Sequence, residues 1–188
     1  VLFTSYFGKM FIQATRGNLS KISAKFKRWI KYIRKNYPDS KADLFAVFIE
    51  RCGQLIIKNG YQAMITQHSW MFLSSFEKLR KKMMQNEIIN MAHLGARAFE
   101  DIGGEVVQVT TFVQCVSHIG GYKGIYCRLV EPNSQNGKED MFLKESGRYI
   151  TVQDNFEKIP GEPVAYWISE KIFEAFKNKN ISDVGSAK

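Results

Sequence analysis

The sequence predicts an α/β fold, in which a mostly parallel sheet is flanked by helices and closed at its edge by an antiparallel hairpin. Helix-like and strand-like patterns alternate between positions 20 and 130, which favours a largely parallel sheet. The last two strand-like segments are joined by a short glycine-rich link, which favours antiparallel pairing. The chain has 188 residues, of which 45% are hydrophobic, so it is long enough to bury one good core.

The net charge of +9 is concentrated at the N-terminal end of the chain. Residues 1–41 contain ten Lys or Arg and a single acid, Asp39, whereas basic and acidic residues balance in the remainder. A basic segment attached to a neutral body favours a polyanionic partner, which is most often a nucleic acid.

The cysteines and the hydropathy pattern exclude several classes of protein. Cys52, Cys115 and Cys127 are odd in number and include no C-x-x-C spacing. We therefore expect neither a disulfide framework nor a metal site, and we predict a cytoplasmic protein. No apolar run approaches the ~20 residues that span a bilayer, so we expect no membrane partner.

The first predicted helix covers Ser20–Lys35 and has one apolar side and one strongly basic side. Pro38 disfavours helical geometry at Tyr37 and ends this helix. The basic side chains that could contact a nucleic-acid backbone are Lys21, Lys25, Arg28, Lys31, Arg34 and Lys35. Two alternatives stay open, namely a charged face that is only solvated and a face that contacts a membrane surface.

A second helix, a strand and a third helix are predicted next. The apolar stripe of Asp43–Lys58 predicts a helix that packs on a sheet, and Asn59-Gly60 predicts its end. Tyr61–Thr66 is a short apolar run that we predict as a buried strand. Ser74 and Glu77 have the spacing of a capping box at the start of the third helix.

Three further strands are predicted at Ile88–His93, Glu105–Val116 and Ile125–Val130. The last two are separated by a glycine-rich turn around Gly120-Gly121, and we expect them to form the edge hairpin.

The rest of the chain is predicted to be less regular. Glu131–Asp140 has the composition of a loop, and Met141–Tyr149 is predicted as a short helix. Ile159–Pro163 contains two prolines and is predicted as an extended connector. Tyr166–Asn178 is predicted as a final helix.

The sequence contains none of the common catalytic motifs that would indicate a reaction. The sequence contains no G-x-G-x-x-G, no Walker lysine loop, no H-E-x-x-H and no G-x-S-x-G. His68, His93 and His118 lie far apart in the sequence, without ligand spacing, and each is predicted to be a hydrogen-bonded structural residue. The residues alone therefore predict an α/β domain with a basic arm.

Three runs of the sequence nevertheless resemble a known family. They are NYPDSKADLFAVFIER at 36–51, MITQHSWMFLSSFEKLR at 64–80 and INMAHLGARAFEDIGGEVVQ at 89–108. In this order they resemble the adenine-specific DNA methyltransferases, and most closely the large methyltransferase of the BREX phage-defence system. The resemblance covers roughly 33–170. It implies part of a Rossmann-like class I fold that uses S-adenosylmethionine and acts on double-stranded DNA.

The resemblance also implies a reaction and roles for particular residues. Enzymes of this family methylate the N6 amine of an adenine that is flipped out of the duplex. The residues that match the motif beside the cofactor's adenosine are Asp43, Leu44 and Phe45. The residues that match the strand end facing the catalytic loop are Gln67, His68 and Trp70. Phe99 matches the aromatic residue that stacks on the flipped adenine. From the residues alone, Phe45 and Trp70 are predicted to be core residues, whereas Phe99 fits a core or a site position equally well.

The chain departs from the family pattern in two places. It contains neither the glycine-rich cofactor loop nor the catalytic Asn-Pro-Pro-Tyr loop, and no two of its prolines are adjacent. We therefore expect no catalytic residue in this chain and a fragment that is inactive alone. We divide it into a basic segment (1–41), the C-terminal half of a methyltransferase domain (42–130), and a connector toward a target-recognition region (131–188).

Two further hypotheses stay open. The chain could be a non-catalytic DNA-binding protein that uses the basic helix. It could also complete an enzyme together with a separate N-terminal half, or act with other phage-defence subunits.

Overall fold

A computed structural model describes residues 19–99 and 107–178 of the chain. Their α-helices are α1 (Leu19–Asn36), α2 (Leu44–Leu55), α3 (Glu77–Met83), α4 (Gln135–Leu143) and α5 (Glu170–Asn178). Their strands are β1 (Tyr61–Gln67), β2 (Glu87–Gly95), β3 (Val109–Cys115), β4 (Lys123–Arg128) and β5 (Arg148–Val152). Short 3-10 helices cover His68–Met71, Ser74–Phe76 and Gln153–Lys158. The predicted combination of helices with one sheet is confirmed, but the sheet is not mostly parallel, because three of its four strand pairs in the described residues are antiparallel.

The five strands form one mixed sheet in the order β1-β3-β2-β4-β5. Strand β3 is antiparallel to both β1 and β2, and β4 is parallel to β2, so β1, β2 and β4 run in one direction. The predicted hairpin between the third and fourth strands is wrong, because β2 lies between them. Residues 116–122 are long enough to cross the ~10 Å that one intervening strand occupies. The pairs at the two edges of the sheet, β1 with β3 and β4 with β5, are antiparallel instead.

Strand β1 lies at an edge of the sheet and is not the buried strand that its apolar composition predicts. Tyr61 and Ile65 are exposed, whereas Gln62 and Thr66 point into the protein. The Gln62 amide donates to the carbonyl oxygen of Ile49 at 3.1 Å, which ties α2 to this strand. The inward polar side chains are therefore tolerated because hydrogen bonds satisfy them.

Helix α2 packs on the sheet as its apolar stripe predicts. Asp43 is its N-cap, and Ala46, Val47 and Ile49 are buried. The helix ends at Leu55, three residues before the predicted Lys58, because the next residue already has extended backbone geometry.

The third helix begins differently from the prediction. Ser74 belongs to a short 3-10 helix and makes no capping hydrogen bond, and Phe76 occupies the N-cap position of α3. Glu77 instead forms an ion pair with Lys81 one turn later, at 2.9 Å. The Ser-x-x-Glu spacing is present, but the preceding 3-10 turn leaves no free helix terminus for Ser74 to cap.

The region after residue 130 is more regular than predicted. Helix α4 begins inside the predicted loop, because the Ser134 hydroxyl accepts from the Gly137 N–H at 3.1 Å and caps it. The predicted helix Met141–Tyr149 is wrong in its second half. Gly147 has φ 74° and turns the chain into β5, where a larger residue would collide with the Arg128 carbonyl oxygen. Helix α5 begins at Glu170, later than predicted.

One face of the sheet carries the core. Phe112, Met91 and Tyr126 lie on this face and pack against buried residues such as Trp70 and Tyr166 from the segments that cover it. Residues that precede position 130 in the sequence and residues that follow it therefore contribute to the same core. None of the helices in the described ranges is long and apolar enough to cross a membrane.

Candidate functional site

The strands β1, β2 and β4 all end at one edge of the sheet. His68 directly follows β1, His93 lies near the end of β2, and Arg128 is the last residue of β4. His93 and Arg128 are register partners on neighbouring strands. The carboxyl ends of parallel strands are where open α/β sheets bind ligands, so this edge is the candidate site.

Two histidines and a tyrosine form a hydrogen-bonded chain at this edge. The His68 Nδ1 and His93 Nε2 atoms are 2.8 Å apart, and His93 Nδ1 lies 3.1 Å from the Tyr166 hydroxyl. His93 and Tyr166 are buried, and His68 is half-buried. Burial lowers the pKa of His68, and burial beside His68 lowers the pKa of His93 to about 4. Both rings are therefore neutral at neutral pH.

The hydrogen-bonded chain is not evident from the sequence, because its members lie 25 and 73 positions apart. Taken separately, each histidine is predicted to be a structural residue. The available signal was positional, since both histidines fall at the carboxyl ends of predicted strands. His118 lies elsewhere, between the carboxylates of Glu87 and Asp154.

Aromatic rings and one guanidinium surround the histidines. The Phe72 ring meets His68 edge-on, with centroids 5.1 Å apart. Trp167 contacts both Phe72 and Tyr166, and the Arg128 guanidinium lies 5.5 Å from the centre of its ring. Trp167 is 38% exposed, so part of this aromatic surface is open to solvent.

Buried Arg80 fixes two of the segments that carry the hydrogen-bonded chain. Its guanidinium donates to the carbonyl oxygens of Trp70 and Leu73, after β1, and to those of Gly161 and Glu162, before Tyr166. A planar guanidinium can reach several acceptors at once, which an ammonium cannot do in the same geometry. Arg80 thereby holds the His68 segment against the segment that ends at Tyr166.

Lys138 performs a similar role at the ends of β2 and β4. Its ammonium donates to the carbonyl oxygens of Leu94 at 2.6 Å and Leu129 at 2.7 Å. Burial lowers the pKa of Lys138. The two strand ends that carry His93 and Arg128 are thus joined by a side chain from α4.

The three residues predicted to face a catalytic loop have different environments. Gln67 is exposed and His68 is half-buried. Trp70 is fully buried against Phe112, and its Nε1–H donates to the Thr66 hydroxyl at 3.1 Å. Trp70 therefore anchors the turn after β1, and its proposed position near a catalytic loop stays a prediction.

The residues predicted to lie beside the cofactor are at the start of α2. The Asp43 carboxylate accepts from the Phe45 N–H at 3.4 Å and caps the helix. The Phe45 ring lies 5.4 Å from Phe76 and is partly buried against the core, and Leu44 is half-buried. Their role in cofactor binding stays a prediction.

Phe99 follows the carboxyl end of β2. It is half-buried and follows Arg97, which has φ 54°. The predicted Gly103-Gly104 turn and the first residues of the predicted strand Glu105–Val116 lie outside the described residues. The stacking role of Phe99 stays a prediction.

Helix α1 exposes both its basic and its aromatic side chains. Arg28, Lys31, Arg34 and Lys35 are exposed, and Trp29 is 48% exposed. The side chains of Lys21 and Lys25 lie outside the described residues.

No group of three or more His, Cys, Asp or Glu side chains that could hold a metal ion occurs between 19 and 99 or between 107 and 178.

The chain is similar in sequence to known adenine-specific methyltransferases. Residues 18–99 match the Eco57I restriction-modification methylase family. Over 154 residues the chain is 54% identical to the adenine-specific methyltransferase PglX of Lacticaseibacillus casei (strain Zhang), covering 79% of this chain and 13% of that protein. Over 147 residues it is 44% identical to the adenine-specific methyltransferase BrxX of Escherichia coli O9:H4 (strain HS), covering 78% and 12%. The chain thus spans about an eighth of the length of these relatives. As the resemblance of its motifs predicted, the chain is similar in sequence, over more than three quarters of its length, to the adenine-specific methyltransferases PglX and BrxX.

Proposed function

We propose that this chain is the C-terminal half of the catalytic domain of a DNA adenine-N6 methyltransferase in phage defence. The observation that carries the proposal is the 54% identity over 154 residues to an adenine-specific methyltransferase. The three strands that run in one direction, with polar and aromatic residues at their carboxyl edge, support a partial Rossmann-like class I domain.

The cofactor of the proposed reaction is S-adenosylmethionine, which supplies the methyl group when it is bound. The start of α2 fits one side of its adenosine, because Phe45 offers a flat apolar ring and Asp43 an acceptor carboxylate. Leu44 lies between them in the sequence. The glycine-rich loop of the family does not occur in this sequence, so these residues form only part of a cofactor site.

The proposed substrate is an adenine flipped out of double-stranded DNA. An unstacked base needs a flat apolar partner, and Phe99 at the carboxyl edge supplies one. Gln67 and His68 lie at the end of β1, which runs parallel to β2 with β3 between them, so they are at the same edge of the sheet. This arrangement would bind and orient the base, while the Asn-Pro-Pro-Tyr loop of the family, which this sequence does not contain, would contact the reacting amine.

We expect no methyl transfer by the chain alone and restored transfer in the presence of the preceding part of a PglX-type relative. The assay is transfer of a radiolabelled methyl group from S-adenosylmethionine to adenine-containing duplex DNA. In the restored enzyme, Phe99→Ala should lower kcat/KM by roughly 10–100-fold, because stacking on a base contributes ~1–3 kcal/mol.

A matched control separates stacking from folding in this assay. Phe142→Ala changes an exposed phenylalanine on α4 and should leave the rate unchanged. Methylation by the chain alone would overturn the expected inactivity. If no mixture methylates DNA although both parts are folded, the result would count against the hypothesis that this chain completes an enzyme together with a separate N-terminal half.

A second candidate function is DNA binding by helix α1 without catalysis. The exposed cations of this helix favour it, because phosphate neutralisation releases counterions from the duplex. It requires no residue outside the chain, and it is compatible with a role in the larger enzyme.

We expect the affinity of the chain for a random DNA duplex to fall steeply as salt rises, with a slope of roughly −0.9 per phosphate contact. Replacing Lys31, Arg34 and Lys35 by Gln should make the slope shallower by about two to three units in a fluorescence anisotropy titration. Lys123→Gln with Lys144→Gln removes exposed charges elsewhere and is the control. If the three substitutions in α1 leave the salt dependence of the affinity unchanged, a role for this helix in DNA binding would be refuted.

A further inference from the structure

The hydroxyl group of Tyr166 fixes the direction of the hydrogen-bonded chain. Tyr166 is 1% exposed, and the hydrogen-bond partner of its hydroxyl within the described residues is His93 Nδ1, at 3.1 Å. A buried hydroxyl hydrogen needs an acceptor, and an imidazole nitrogen that carries no hydrogen is one. The hydroxyl hydrogen is then left for His93 Nδ1, which must accept it.

The direction of the Tyr166–His93 hydrogen bond determines the direction of the hydrogen bond between His93 and His68. A neutral imidazole carries one hydrogen, and with Nδ1 as an acceptor that hydrogen is on Nε2. His93 Nε2–H therefore donates to His68 Nδ1, across the 2.8 Å that separates them. The hydrogen of the neutral His68 ring must then be on its own Nε2, at the outer end of the chain.

The opposite direction is unfavourable. If His93 Nδ1–H donated to Tyr166, the buried hydroxyl hydrogen would have no acceptor among the described residues. An unsatisfied buried donor is unfavourable enough to favour one direction at least several-fold. The arrangement is thus a one-way chain from Tyr166 through His93 to His68.

We propose that Tyr166 and His93 are positioning residues that hold His68 in one tautomer, so that its Nε2–H is a fixed hydrogen-bond donor for a ring nitrogen of a nucleobase. The acceptor is a planar base because Phe72 and the half-exposed Trp167 line the same edge with aromatic rings. The ligand part of this inference rests on the proposed function, whereas the tautomer part does not.

The tautomers can be measured directly in the isolated chain. Long-range ¹H–¹⁵N correlation NMR at pH 7.5 distinguishes protonated from unprotonated ring nitrogens. We expect both His68 and His93 to carry hydrogen on Nε2. Hydrogen on Nδ1 in both rings would mean that the chain runs in the opposite direction, and would overturn the proposal.

A substitution tests whether the chain sets the tautomer. Tyr166→Phe removes the donor to His93 Nδ1 and keeps the buried ring, so His68 should shift to a mixture of tautomers. The signals of His118, between Glu87 and Asp154 and away from this edge, should not change and report a retained fold. An unchanged His68 tautomer in Tyr166→Phe would refute the positioning role.

The ligand class is tested with two probes. We expect 9-methyladenine to move the His68 Nε2–H signal downfield, with little effect of inorganic phosphate at the same concentration. A response to phosphate alone, or to neither probe, would overturn the assignment to a base. Because this titration needs no methyl transfer, its failure is distinguishable from failure of the proposed methyltransferase function, which the mixing assay tests separately.

Discussion

Replacing Arg80 by Met is expected to lower the free energy of unfolding by about 3–5 kcal/mol, which is a large share of the stability of a domain of this size. Met keeps most of the buried volume but donates no hydrogen bond. The carbonyl oxygens of Trp70, Leu73, Gly161 and Glu162 would lose their donor inside the protein. Each unsatisfied buried group costs about 1–3 kcal/mol, reduced where water can reach it.

The measurement is urea unfolding followed by circular dichroism, with Lys78→Met as the matched control on the same helix. The Lys78 side chain is 79% exposed and lies 4.0 Å from Asp39, so its loss should change stability by less than about 0.5 kcal/mol. Arg80→Lys should fall between the two variants, because one ammonium cannot span acceptors on two segments. A loss below 1 kcal/mol in Arg80→Met would show that the guanidinium does not hold these segments together.

Much of the secondary structure could be predicted from local sequence. The 3.6-residue periodicity predicts α1 and α2 closely, and the apolar runs predict β1 and β2. These predictions succeeded because each depends on residues within one segment. The predicted hairpin failed because strand pairing depends on which distant strand occupies the space between β3 and β4, and local sequence does not contain that information.

The candidate site was predictable only in part. Resemblance to the family placed His68 at a strand end, but it said nothing of Tyr166, which lies 98 positions later in a turn before α5. The position of Tyr166 depends on Arg80, whose role is visible only when the acceptor carbonyls from both segments are brought together. A lysine- and arginine-rich run such as EKLRKKM predicts a solvated helix, and nothing in it marks one arginine as buried.

Acid is expected to weaken the fold through His93, and this is the second large effect. The folded state holds the pKa of His93 near 4, whereas an unfolded histidine has a pKa near 6.5. The unfolded chain therefore binds the proton more readily. The contribution to stability is complete above about pH 6.5, is lost as the pH falls toward 4, and amounts to about 3 kcal/mol.

The cause is geometric as well as electrostatic. Protonating either ring puts hydrogen on every nitrogen of that ring, so His68 Nδ1 or His93 Nδ1 can no longer accept. The groups that face His93 are His68, Tyr166, Arg128, Glu131 and Lys138, and of these only Glu131 is acidic. A third positive charge beside Arg128 and Lys138 would break the hydrogen-bonded chain and not merely adjust it.

His93→Gln separates this effect from the titration of other groups. Buried Glu87, whose pKa is raised by burial, acts in the opposite direction, so the wild-type pH profile alone is ambiguous. The glutamine variant should be less stable than the wild type at pH 7.5, because it loses at least one bond of the chain. Its stability should nevertheless change less between pH 6.5 and 4, by about 3 kcal/mol in urea titrations. Parallel profiles for the two proteins would mean that His93 is accessible to protons in the folded state, and the one-way chain that positions His68 could not then persist in solution.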